Sequence, residues 1–235
     1  MSNFFVALYA VLPMFIMLAI GFTVRKMKVI EEAHLPVLNK IVFNVFFPFL
    51  MFNNIYAFDL SADFNASLLL YAVVAVAVIY GLSVGFALIF EKSNKSRGAL
   101  IQAIYRSNFV LMGLPIVGNI FGSGRLGMTS MLVTVIVPMY NILAVITLEV
   151  FRGESIKITK ILKGIVTNPL IIGSVAGILF AVFGIKLPEI AESVISDMAS
   201  AATPLALIVL GASFEFASIK RYKKNLIAVI FARLI

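Results

Sequence analysis

Residues 99–121 form an apolar run long enough to cross a membrane, since about 20 residues of helix span the hydrocarbon. In its middle stands Tyr105-Arg106-Ser107-Asn108-Phe109-Val110-Leu111-Met112-Gly113-Leu114-Pro115. A lipid-facing helix avoids arginine, asparagine and a Gly-x-Pro break alike. Pro115 has no N–H to donate and clashes with the carbonyl of Leu111, and Gly113 loosens the helix just before it. Backbone groups freed in this way cannot face lipid unpaired, so the segment must be buried in protein or line a watery cavity. Discontinuous helices of this kind hold substrate in many secondary transporters. The plainer alternative is a proline kink satisfied by neighbouring helices.

Composition sets the class. Mean hydropathy is +1.08, with 62% hydrophobic and 13% charged residues, so the chain is an integral membrane protein with the lipid bilayer as its first partner. With no cysteine and a single histidine, His34 in a charged loop, there is neither a thiolate nor a His cluster, and no metal or other cofactor is expected. The start, Met1 to Phe4, has no basic region, and no small-residue cleavage site follows the first apolar run. That run is therefore expected to be a retained helix.

Apolar segments follow at Phe4 to Val24, Leu35 to Ala57, Ala66 to Phe90, the broken Ala99 to Phe121, Leu126 to Phe151, Asn168 to Ile185 and Ile190 to Phe214, with an eighth starting near Leu226. The loops after the odd-numbered segments, with Lys40 just beyond the first, hold 15 of the 19 basic residues. They include Arg25, Lys26 and Lys28, then Lys92, Lys95 and Arg97, then Arg152, Lys157, Lys160 and Lys163, and last Lys220, Arg221, Lys223 and Lys224. This asymmetry predicts a multi-pass protein of the cytoplasmic (inner) membrane with those loops inside and the N-terminus outside. It also assigns the net charge of +8 to membrane-flanking loops, so nucleic acid is not an expected partner.

Shifting the chain by 156 residues superposes Pro13 on Pro169, Gly21 on Gly177 and Pro48 on Pro204 without a gap. Five helices per unit is an odd number, so the second unit enters the membrane from the opposite side, as in the inverted repeats of secondary transporters. The predicted fold is an all-α polytopic membrane protein of inverted five-helix repeats with broken crossover helices. Residues 1–153 form the first repeat and 164–235 an incomplete second one, truncated in the eighth helix. Counterparts of Gly113 and Pro115 would fall at about 269 and 271, so the expected intact chain has about 310 residues by the same offset.

Three motifs carry a family resemblance across nearly the whole chain. They are Arg106-Ser107-Asn108 with Gly113-Leu114-Pro115, Pro138-Met139-Tyr140-Asn141-Ile142-Leu143-Ala144-Val145, and Thr203-Pro204-Leu205 with Gly211-Ala212-Ser213. They resemble the fourth, fifth and seventh helices of the auxin efflux carrier family, which includes plant carriers and bacterial malonate-permease-like members. The short basic loop after the fifth segment is similar to the compact bacterial members. The resemblance implies ten helices in two inverted repeats, split into a scaffold and a transport domain, and a permease for organic anions such as carboxylates. It maps the family's crossover asparagine onto Asn108 and its crossover proline onto Pro115. Apart from the resemblance, a coupling proton or sodium ion and a second copy of the chain in a homodimer are further expected partners.

The remaining candidates divide between site and scaffold. Arg106 is either an anion-binding charge or a snorkelling side chain nine residues past Arg97. Asn108 lies deeper and offers both donor and acceptor, for substrate or for a neighbouring helix. Lys40, Asn44 and Pro48 are spaced to share one helix face, with Asn44 toward a cavity or in helix packing. Asn141 serves the site or a carbonyl freed by Pro138. Asp197 carries a coupling ion or sits near the outer surface. Pro48 and Pro204 are expected helix breaks. The expected function is transport of small organic anions by alternating access, without chemistry on the substrate. The rivals are a cation–proton antiporter, which wants paired midplane carboxylates, an intramembrane enzyme, which lacks a recognisable triad here, and a non-transporting sensor.

Overall fold

The computed structural model describes residues 3–56, 65–107, 117, 126–152, 158–216, 219 and 222–234. Among them every regular element is helical. They are α1 (Asn3–Lys26), α2 (Leu35–Ile41), α3 (Phe47–Tyr56), α4 (Ala66–Phe90), α5 (Asn94–Tyr105), α6 (Leu126–Val150), α7 (Ile158–Val166), α8 (Pro169–Val182), α9 (Glu189–Ala212) and α10 (Lys223–Leu234). A 3-10 turn, Glu32–His34, leads into α2, and a π turn, Val42–Phe46, joins α2 to α3. Among the described residues four stretches are long and apolar enough to cross a membrane: Glu32–Tyr56, Ala66–Phe90, Leu132–Val150 and Glu189–Ala212. A fifth is reached if α7 and α8 count as one broken span.

The helix boundaries have local causes. Asn65 caps α4, its side chain accepting from the Leu68 N–H at 3.0 Å. No charge or proline interrupts the following 25 residues, and the helix stops where Glu91 turns extended. Leu82 and Ile89, 70% and 89% exposed, face outward on α4 as expected for a lipid-contacting helix. α1 closes on Lys28 in the left-handed region, φ 59°, behind its basic last turn of Arg25 and Lys26.

The described residues divide into two compact units, each drawing on both halves of the sequence. The first unit comprises Met1–Phe64, Phe109–Thr134 and Pro169–Phe214. Within it α1 packs on α9, α3 on α8, and α3 also on α9. These contacts are backbone-close at glycine. A Cβ on Gly21 would collide with the carbonyl of Ile208 and lie 2.9 Å from the Ala212 nitrogen; on Gly177 it would lie 2.9 Å from the Phe52 carbonyl oxygen. Gly173 meets the Pro48 carbonyl and Gly211 that of Leu18 in the same way. Positions 21 and 177, like 52 and 208, are 156 apart.

Polar clamps pin this unit at two places. Arg25 donates to the Ala212 carbonyl at 3.0 Å, satisfying the C-terminus of α9, and to Glu32 at 3.0 Å. Tyr56 donates its O–H to Glu192 at 2.6 Å and accepts from the Leu187 N–H at 3.0 Å, with its ring stacked on Phe52.

Pro48 and Pro204 lie inside continuous helical stretches. At Pro48 the helix widens instead of parting: the Phe47 N–H donates to the carbonyl of Val42, five residues back, giving the π turn room for the proline ring. The extra residue rotates the helix, so Lys40, Asn44 and Pro48 do not share one face. Lys40 and Asn44 border a cleft of about 490 Å³ with Ala206 and Leu210, whereas Pro48 abuts Gly173. At Pro204 α9 runs on, flanked by the small residues Ala199 and Ala202, both buried.

The second unit comprises Asn65–Asn108, Val135–Asn168 and Glu215–Ile235. Here α4 and α10 both pack on α5. The stretch expected to be a plain basic loop after the fifth segment contains α7. Glu91 ties the unit together outside the spans, accepting from the Ser93 N–H at 2.9 Å and from Asn225 at 2.7 Å. The Ser93 amide first, then the Asn225 amide, hold the Glu91 carboxyl below its ordinary value. A depressed folded pKa gives stability that is present above the unfolded value of about 4.3 and lost as the pH falls through the folded one. Glu91→Gln should therefore lower the thermal midpoint at pH 7 and flatten its fall below pH ~4.3, read by tyrosine fluorescence in detergent.

Candidate functional site

The first half of the broken segment is α5, and it stops earlier than Gly113 and Pro115 would place the break. Tyr105 is its last residue, and Arg106 is extended at φ −80°, ψ 102°. The cause is tertiary. Tyr105 is buried, its ring set edge-to-face against Tyr80 at 5.1 Å and Tyr140 at 5.7 Å. Its O–H donates to the Tyr140 carbonyl at 3.1 Å. With the tyrosine anchored on α6, the next residues leave the helical path. The twelve-residue helix is about 18 Å long, of which the eight residues past its polar opening Asn94–Arg97 cover about 12 Å.

Around that end the polar groups pair in sequence. Arg106 donates from Nη2 to the Asn141 Oδ1 at 3.1 Å, and Asn141 is only 3% exposed. Ser107 Oγ lies 3.0 Å from the Tyr140 hydroxyl. Deeper in the unit, the Tyr80 hydroxyl is 3.0 Å from Thr147 Oγ1, which itself donates to the Leu143 carbonyl at 2.6 Å. Arg233 on α10 donates from Nη2 to the carbonyl of Arg106 at 2.8 Å. The C-terminus of a helix carries roughly half a negative charge, and Arg233 compensates it. The guanidinium of Arg106 is thus extra positive charge at the helix end, held by a neutral amide.

Among the expected site residues, the structure brings together Arg106 and Asn141. Asn108, Gly113 and Pro115 lie outside the described residues. Asn44 and Asp197 belong to the other unit, Asn44 exposed in the π turn and Asp197 exposed on α9. Arg233, Tyr105, Tyr140 and Ser107 are members that sequence reasoning missed. The in-span position of Arg233 was the available signal for the first; the two tyrosines give none until α5 and α6 are paired. Tyr105→Phe removes one hydrogen bond to a backbone carbonyl and should cost about 1 kcal/mol of stability, read as a lower denaturation midpoint in detergent.

Comparison with known proteins gives a consistent picture. The model of a family described as membrane transport protein matches residues 6–235. The chain is also similar to an uncharacterized transporter of Methanothermobacter thermautotrophicus, 27% identical over 212 residues, covering 88% of this chain and 67% of the relative.

Proposed function

The chain belongs to the membrane transport protein family, and from that premise we infer that it is a secondary transporter of small organic anions, carboxylates foremost, working by alternating access. The observation that carries the reading is the guanidinium of Arg106 at the end of a half-helix, bonded to the buried amide of Asn141. A guanidinium is matched to bidentate carboxylate contacts. The partner being an amide, and not a carboxylate, leaves the charge to be met by a ligand. The bond to Asn141 favours an inward-turned Arg106 over a snorkelling one. Asn108, Gly113 and Pro115 follow directly in the chain and complete the proposed site; Asn44 and a coupling proton or sodium ion at Asp197 stand as further proposals, as does a homodimer.

Two inverted repeats, 1–153 and 164–235, are part of this reading. Under the shift of 156 residues the contact of Gly21 with the Ile208 carbonyl becomes that of Gly177 with the Phe52 carbonyl. The packing of α1 on α9 likewise becomes that of α8 on α3. A pseudo-two-fold axis exchanging the halves produces such reciprocal pairs, and with five helices per unit that axis would lie in the membrane plane. The loop charges support a cytoplasmic-membrane location with the N-terminus outside.

The test is uptake of radiolabelled malonate, succinate and an aromatic carboxylate by proteoliposomes, wild type beside Asn108→Ala and Arg106→Ala. Saturable uptake that both variants lose, while still inserting, is the expected result. Uptake untouched by Arg106→Ala removes the arginine from the site, and sodium- or proton-driven exchange dependent on Asp197, without carboxylate uptake, replaces the anion carrier by an antiporter.

A further inference from the structure

α7 is too short to cross a membrane and is sharply two-sided. At 100° per residue, Ile158, Ile161, Leu162, Ile165 and Val166 fall within an arc of about 140°, and Thr159, Lys160 and Lys163 lie on the other side. The helix rests on α6 through its edge: a Cβ on Gly164 would stand 3.1 Å from Val145. That docking leaves much of the apolar arc uncovered, with Ile158 71%, Leu162 56% and Val166 70% exposed. Lys160 and Lys163 stand mid-helix, where inclusion in a span would carry them into hydrocarbon. Pro169 cannot donate to the Ile165 carbonyl, so the helix ends and α8 begins afresh.

We propose that α7 is an interfacial helix lying on the cytoplasmic leaflet, its apolar arc sunk among the acyl chains and its lysines bound to anionic lipid headgroups. Two observations select lipid as the occupant. The first is charge: the loop bearing Arg152, Lys157, Lys160 and Lys163 is the kind of basic segment that the negative cytoplasmic leaflet attracts. The second is length. α8 has 14 residues and covers about 21 Å, short of the 30 Å hydrocarbon layer. An interfacial helix buried about 5–10 Å deep supplies the difference. The inference is independent of what the protein carries.

The sequence contains no tryptophan, so Leu162→Trp places a single tryptophan on the apolar arc, excited selectively over the tyrosines. The protein is reconstituted in mixed phosphatidylcholine–phosphatidylglycerol vesicles in which one lipid at a time carries bromine. Blue-shifted emission is expected, quenched more by bromine near the headgroup than by bromine near the chain ends. Brominated phosphatidylglycerol should quench about twofold more than brominated phosphatidylcholine at equal mole fraction. Lys160→Gln with Lys163→Gln should abolish that preference, and Lys160→Arg with Lys163→Arg should keep it. Three results overturn the proposal: no quenching by either lipid, meaning that protein covers the arc; strongest quenching from the chain ends, meaning that α7 belongs to a span; or equal quenching by the two headgroups.

Discussion

Asn141→Asp is expected to transport worse than Asn141→Ser, although aspartate is the closer match in shape. Asn141 is buried and its Oδ1 accepts from the Arg106 guanidinium. Serine removes that acceptor, and a hydrogen bond to a charged group is worth about 1.5–3 kcal/mol, or roughly a 10- to 150-fold loss in uptake efficiency. Aspartate restores the acceptor but adds a fixed carboxylate that neutralises the guanidinium. A substrate anion must then displace it against like-charge repulsion costing several kcal/mol, so a loss of about 100-fold or more follows. Insertion and thermal midpoint should be at least as good in the aspartate variant, because its ion pair is complete. If the aspartate variant transports as well as the serine one, Arg106 holds the helix end in place and binds no anion.

Gly21→Ala and Gly177→Ala should be strongly damaging single-methyl changes. In each, the new Cβ meets a backbone carbonyl of the facing helix, Ile208 or Phe52, and a backbone cannot swing aside as a side chain can. The helices must move apart, losing the close packing that holds membrane helices together. Overpacking of this kind typically costs about 1–3 kcal/mol, and leucine at either position should abolish recoverable folded protein. Gly81 and Gly85 on α4 are the controls, since a Cβ at either would have nothing within 4 Å. Their alanine variants should be neutral or slightly stabilising through helix propensity. Detergent thermal scans that rank all four alike would refute the packing.

Much of the helical scaffold was legible because hydrocarbon length and backbone satisfaction leave few options. Ala66–Phe90 is uncharged throughout and flanked by Asn65 and Glu91, and the helix occupies that stretch. The sixth segment is expected to open at Asn168, and α8 starts at Pro169, whose missing N–H suits a first helical turn. Other features depend on information that is not local. The end of α5 at Tyr105 depends on Tyr140, 35 residues away. The same distance separates Arg106 from Asn141, and nothing in either segment names the other. Pro48 and Pro204 look alike in sequence, yet one sits after a π turn and the other in an unbroken helix, because their neighbours leave different room. In Ile158–Val166 the helical period is present, but Lys160 and Lys163 within it give the short stretch the composition of a basic loop.

The glycine contacts also have a mechanical meaning. Where two helices touch backbone to backbone, no layer of side chains remains to shear, re-pack or change rotamer. α1 and α9, and likewise α3 and α8, are locked in register as cogs are, and any slide of a fraction of a turn drives a carbonyl into an α-carbon. The interior of the first unit is therefore stiff. It can serve as the fixed ground of a moving machine, and the compliance that a transport cycle demands has to be found in parts of the chain other than these helix pairs.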